Sequence, residues 1–162
     1  MNHTYFAVEE ELIGEIAHGW HDMPPEDGTL DDISTIPITA FYIMLSSADA
    51  MFSSAEDLAR WSKALLQGNV LSQSFLNQML QFQPILIASH PGWEYGLGIT
   101  SYEPSYLNCE ESIGQGGGNP GYRAQMLYLP DHDIFITVML NEENKECLTD
   151  VLQALSDTVL IH

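Results

Sequence analysis

Residues 113–124 read IGQGGGNPGYRA, with five glycines and a proline, and no other segment constrains the fold as strongly. Where side chains are missing, a strand presents bare backbone, and a ligand can approach main-chain N–H and C=O groups closely. Such an edge can supply an oxyanion-hole donor or pair with an extended substrate. The same residues also read as a flexible turn ahead of a hairpin, so the flanking sequence has to decide.

Residues 1–52 mix aromatic and apolar residues with turn formers such as MPPEDGT at 23–29, and no period lasts, which predicts a long, mostly irregular segment. A helix starts at SSAEDLARWSKALLQG. Ser54 and Asp57 have capping-box spacing, Leu58, Trp61, Leu65 and Leu66 form an apolar face, and Gly68 ends it. Ser72 can cap a second helix through about Phe82, with Phe75, Leu76, Met79 and Leu80 on its apolar face and Pro84 closing it. The two short helices are expected to pack together.

From Trp93 strands replace helices. WEYGLGIT and RAQMLYL have strand composition, and DIFITVML at 133–140 is a nearly unbroken apolar run of strand length. PDHD at 130–133 is a tight turn that predicts an antiparallel hairpin between the last two strands. From about Asn144, Leu148, Val151, Leu152, Leu155 and Val159 fall on one side of a helix that can cover a sheet. The expected fold class is α+β, one unit over 1–162 with a loop and helical portion at 1–90 and an antiparallel sheet with its C-terminal helix at 91–162.

The charge balance narrows the partners. Acidic residues number 23 against 4 basic ones, and a formal charge of −19 repels both a phosphate backbone and an anionic membrane face. Nucleic acid is therefore not an expected partner. The acids are spread along the chain, with clusters at Glu9 to Glu11, Asp31–Asp32 and Glu142–Glu143, and read as a solvated surface. No apolar run approaches the roughly 18 residues of a membrane span, and no basic n-region precedes an apolar h-region in the chain as written. Cys109 and Cys147 are too few and too far apart for a disulfide framework or zinc ribbon, and their pairing is left open.

FSSAEDLARWSKALLQG, then YGLGI, then GQGGGNPGYRAQMLYLPDHDIFITVMLN, in that order, resembles the serine β-lactamase and penicillin-binding-protein-like family. The likeness is to its branch of class C β-lactamases, D-aminopeptidases and esterases, and runs from about Met1 to the last helix. It implies part of a β-lactamase/transpeptidase-like fold, with the helix phrase in the helical lobe. The glycine phrase is then the third active-site motif, Lys-Thr-Gly or His-x-Gly, on the strand lining the cleft. By resemblance the motif falls on Gln115, Gly116 and Gly117, and the strand's oxyanion donor is the backbone N–H of Gly118. MNHTYF looks like the segment that follows Pro-Leu-Gly in the family. The implied chemistry is acylation of a serine and hydrolysis of the acyl-enzyme, on β-lactam, D-amino-acid peptide or ester substrates and without a cofactor. Family members often act outside the cytoplasm.

Two family motifs have no counterpart. Ser-x-x-Lys supplies the activated serine and Tyr-x-Asn lies beyond it. Only Lys63 and Lys145 are present, and three residues before them stand Arg60 and Glu142. The expectation is the C-terminal portion of a longer hydrolase, inactive alone; the alternative is a non-catalytic domain that holds a peptide-like ligand in the glycine-edged groove. Gln115 stands in place of a cationic or imidazole residue and Gly116 in place of a hydroxyl residue. An amide can donate a hydrogen bond but carries no charge, which moves the expected substrate from carboxylate-bearing penicillin or D-alanyl peptides toward an ester or modified peptide. Arg123 could bind an anion or serve a surface role.

Other chemistry is weaker. His18, His21 and Asp22 in HGWHD, with His3 nearby in sequence, lack helical zinc-ligand spacing and read as surface histidines, so no metal site is expected. Nothing local lowers the thiol pKa in a Cys109–His132 pair. Ser53 and Ser54 read as helix caps. By resemblance, N-terminal strands of the family pair beside the last strand, so 133–140 is expected to be covered by a homo-oligomer or by a missing N-terminal half.

Overall fold

The computed structural model describes residues 1–6, 9–11, 13–24, 26–34, 36, 51–85, 92–107 and 110–160, with the Lys145 side chain left out. Among the described residues, 1–52 contribute two-residue strands. β1 (Tyr5–Phe6) pairs with β4 (Met51–Phe52), and β2 (Trp20–His21) with β3 (Asp31–Asp32). Helix α1 spans Ala55–Leu66 and α2 spans Gln73–Met79. Strands β5 (Gln83–Pro84), β6 (Glu94–Tyr95), β7 (Thr100–Tyr102), β8 (Ser112–Asn119), β9 (Tyr122–Leu129) and β10 (Ile134–Leu140) form one antiparallel sheet in that spatial order, and α3 (Lys145–Leu160) closes the chain. The architecture is α+β, with the antiparallel sheet and C-terminal helix expected from sequence.

The long strands follow from local chemistry. Pro120 and Gly121, the latter at φ +78°, make a two-residue turn that brings Asn119 opposite Tyr122. PDHD forms a 3-10 turn, and Asp133 at φ 52° reverses the chain so that Ile134 pairs with Leu129. Side chains then alternate between faces. Ile136 and Val138 pack with Leu127 and Leu129 against Leu148 and Leu152 of α3. The Thr137 hydroxyl donates to the Ala55 carbonyl at 2.9 Å, so the other face of β10 meets α1. The sheet thus lies between α3 and α1. Leu127 and Leu152 are 0% exposed, and each such burial contributes about 1.5–3 kcal/mol.

Several expectations are corrected. WEYGLGIT is a hairpin rather than one strand, because Gly98 at φ +75° turns the chain and Glu94 pairs with Ser101. The second helix ends at Met79, about a turn before Phe82, and Phe75 is 62% exposed. Helix α1 packs on β9 and β10 rather than chiefly on α2. The capping box is half formed: Ser54 accepts from the Asp57 N–H, while its own N–H goes to the His3 carbonyl. Asp57 instead turns its carboxylate to the N-terminal segment. In α3, Leu148 and Leu152 are buried, but Leu155 and Val159 lie at the surface.

Candidate active site

Strand β8 has different neighbours along its two edges. On one side β9 accompanies it from Ile113 to Asn119. On the other, β7 pairs only with Ser112, Ile113 and Gly114. From Gln115 to Gly118 this second edge has no strand beside it among the described residues. The glycines therefore lie in a strand, and the turn is confined to Pro120 and Gly121.

The tight turn also fixes where the backbone points. A two-residue connection makes Asn119 and Tyr122 the pair that exchanges hydrogen bonds, and hydrogen-bonded pairs alternate along an antiparallel ladder. Gly117 thus bonds to β9, whereas Gly116 and Gly118 turn their N–H and C=O groups to the open edge. In agreement, the Gly116 carbonyl accepts from Gln115 Nε2 at 3.2 Å. The Gly118 N–H faces the same opening.

Side-chain directions divide the motif differently. Through the register Met139–Ala124–Gly117, the Cα hydrogens of Gly117 face the α1 side, and a Cβ there would meet nothing within 4 Å. Through Val138–Gln125–Gly116 and Leu140–Arg123–Gly118, the other two glycines face α3. A Cβ on Gly116 would overlap Gln125 Oε1, and one on Gly118 would lie 2.6 Å from Arg123 Cδ. Gly116 and Gly118 are thus required by packing behind the strand, and Gly117 leaves space in front of it.

The supporting residues are polar and specific. Gln125 is buried and donates to the Tyr102 hydroxyl at 3.0 Å, and Tyr102 stacks on Tyr106 and meets Trp93 edge-on. Burial pushes the Tyr102 hydroxyl pKa up, with the Gln125 bond acting in the other direction. Gln115 is clamped at the edge, its carbonyl accepting from the Thr100 hydroxyl at 3.3 Å. Arg123 donates to Glu143 at 2.7 Å and is 15% exposed, its Nε having no partner among the described residues. It crosses the back of Gly118 instead of standing on the surface. Gln125 and Tyr102 escape a sequence reading because only strand register brings them behind Gly116.

In front of Gly117 and Gly118 opens a cavity of about 690 Å³, with Phe52, Leu58, Trp61 and Met139 among its apolar lining residues. Its N-terminal wall is held by Asp57, which is fully buried. This carboxylate accepts from the His3 N–H at 2.7 Å, the Thr4 hydroxyl at 3.2 Å and Arg60 at 3.2 Å. The His3 bond chiefly lowers its pKa. Ser53 bonds to the Thr4 hydroxyl at 2.8 Å and Ser54 caps α1, which places both serines in structural roles.

The described histidines do not converge. His18 pairs with Asp32 at 2.7 Å, His21 with Glu143 at 2.9 Å and His132 with Glu110 at 3.1 Å, while Asp22 accepts from the Gly28 N–H. Among the described residues, no three His, Cys, Asp or Glu side chains are grouped to hold a metal ion. Cys147 is exposed, and Cys109 lies outside the described residues. Among the described residues no helix is long and apolar enough to cross a membrane.

The six-stranded antiparallel sheet with helices on both faces has counterparts among known proteins. The family model described as Beta-lactamase matches residues 1–156. The chain belongs to this family. Similar solved structures include a D-stereospecific amidohydrolase from Streptomyces sp. at 24% identity and TM-score 0.69, with 86% of this chain and 39% of that chain covered. A D-amino acid amidase from Ochrobactrum anthropi SV3, complexed with L-phenylalanine amide, gives 21% identity and TM-score 0.76, with 98% and 47% covered. An octameric penicillin-binding protein homologue from Pyrococcus abyssi gives 23% and 0.66, with 88% and 31% covered. The β-lactamase-like chain described here thus spans less than half the length of these three relatives. No curated protein matches it.

Proposed function

We propose that this chain supplies the strand wall and one oxyanion donor of a β-lactamase-like serine hydrolase, and that the acylated serine comes from outside this sequence. The carrying observation is the open edge of β8, to which Gly118 turns its N–H, beside a cavity that Gly117 leaves unobstructed. In the reaction this geometry supports, a serine oxygen adds to an amide or ester carbonyl and the Gly118 N–H donates to the developing oxyanion. The leaving group departs, and water then releases the acyl group from serine. Gln115, Gly116 and Gly117 would present the edge to an extended, peptide-like substrate. The clamped amide of Gln115 offers hydrogen bonds but no charge, which favours an ester or amide without a carboxylate at that place. Arg123 would act through the position of Gly118, since Glu143 already holds its guanidinium.

The second reading is a non-catalytic domain that binds a peptide-like ligand along the same edge; the absence of any Ser-x-x-Lys favours it. Intact mass after incubation with a fluorophosphonate, and separately with a penicillin, tests the main reading. No adduct is expected on this chain alone. A stoichiometric adduct would show that it carries its own activated nucleophile. An in-frame Ser-x-x-Lys upstream in the encoding DNA, with labelling of the longer product, separates hydrolase from binding domain.

A further inference from the structure

The ladder between β7 and β8 stops at a definite place, and the way it stops selects among ligands for the edge beyond it. Thr100 lies opposite Gly114, so a continued β7 would set Gly98 opposite Gly116. Gly98 instead takes φ +75° and turns the chain into the hairpin with β6. The Gly116 carbonyl, which faces this side, has no strand partner among the described residues. Gln115 takes that place, its Nε2 donating to the carbonyl at 3.2 Å.

The amide stands only one way round. Its Oε1 accepts from the Thr100 hydroxyl at 3.3 Å, and Thr100 is buried. Turned over, the amide would bring Oε1 against the Gly116 carbonyl oxygen, and two acceptors would face each other with no proton between them. Behind Gly116 stands Gln125 Oε1, in the place a Cβ would take, so the strand is backed at this point as well. One acceptor of the open edge is therefore already in use, whereas Gly118, two residues on, is exposed.

We propose that Gln115 is a specificity-determining residue that sets the chemistry of the leaving group. This deepens the hydrolase reading and rests on it. An extended substrate lying antiparallel on the edge, with its scissile carbonyl at the Gly118 N–H, gives the N–H of that same residue to the Gly118 carbonyl. Two residues further, on the leaving-group side, its next N–H points at the Gly116 carbonyl, where Gln115 Nε2 already stands. A peptide must leave this N–H unpaired or pull the amide away from both Thr100 and Gly116. An ester link there has no N–H to place, and the carbonyl of the same residue still accepts from the Gly116 N–H. The substrate class is a depsipeptide-like chain whose leaving group holds an ester where a peptide holds an amide.

The test uses the whole chain and two synthetic ligands, a trialanine blocked by acetyl and methylamide groups and its counterpart with lactic acid in place of the third alanine. Amide resonances of Gly116 and Gly118 report binding. The lactate ligand is expected to shift both at about one tenth of the concentration that the trialanine needs. Gln115→Met keeps the length but removes the donor, and should abolish or reverse the preference. Thr100→Val frees the amide without touching the edge, and should reduce the preference part of the way. In the parent chain without ligand, one Gln115 Nε2 proton should exchange with water about tenfold more slowly than the other. Equal binding of the two ligands, preference for trialanine, binding of neither, a preference that survives in Gln115→Met, or equal exchange of the two Nε2 protons would each overturn the proposal. None of these measurements needs an acylated serine, so their failure leaves the hydrolase reading standing, and a fluorophosphonate adduct on this chain would overturn that reading alone.

Discussion

Residues 112–140 and residues 1–52 are held in place by different forces. The first region is three long strands in continuous register, with Leu127, Leu129, Ile136 and Val138 buried under α3. Among its described residues the second has two-residue strands and is fastened at separate polar points: Asp57 to His3 and Thr4, Asn141 to the His18 carbonyl, and His21 to Glu143. Apolar burial fixes the sheet that bears the glycine edge, whereas among the described residues of 1–52 charge and hydrogen bonds work beside the buried Ile33 to fix the segment. This segment is therefore the part that solution conditions can move while the edge stays intact.

The comparison is broken most severely at Leu127. Leu127→Ala leaves a void in the centre of the core and should cost about 2–5 kcal/mol, read as a lower urea midpoint. Within the glycine run the effects should divide by face. Gly116→Val forces a side chain into Gln125 and should cost about 1–3 kcal/mol. Gly117→Ala, which meets open space, should change stability by about 0.5 kcal/mol or less. Equal losses at the two positions would show that the faces are assigned wrongly.

Asp57→Asn tests the polar side of the comparison. It should speed proteolysis within residues 1–24 and leave amide protection of β8 to β10 unchanged. Acid should do the same in the parent chain. Asp57 titrates below its ordinary 3.8 when folded, so its contribution is complete above that value and is lost as the pH falls through the lower folded value. Asp32, held by the Ser34 hydroxyl and N–H and by His18, titrates at about 2, and its anchorage should fail between 3.8 and about 2. Loosening of 1–52 that starts well above pH 4 would contradict both assignments. The smallest effect is expected for Val159→Lys on the exposed side of α3, within about 0.5 kcal/mol by thermal melting.

The legible parts of the sequence were those whose signals act locally. Caps at Ser54 and Ser72, the PDHD turn and the apolar run of β10 each settle their element within a few residues. The WEYGLGIT hairpin was misread because composition does not report the positive φ of Gly98. Leu155 and Val159 share the helical period of Leu152, but the buried stripe runs instead through Leu148, Leu152 and Ser156. At the site, the glycine strand and its motif positions could be found, whereas Gln125 behind Gly116 and Arg123 behind Gly118 depend on a register set by Pro120 and Gly121. Asp57 read as a cap, and its tie to His3 spans 54 residues, beyond any local pattern.

That separation has a consequence in time. The ladder from β8 to β10 is closed by a two-residue turn and a four-residue turn, and hairpins of this kind form in about 1–10 μs. The His3 tie must instead close a long loop, at a greater cost in entropy. A ribosome delivers residues 1–52 first, at roughly 5–20 residues per second. These early residues wait seconds for α1 to reach them and for the sheet beneath it, so synthesis and folding run in opposite directions along this chain.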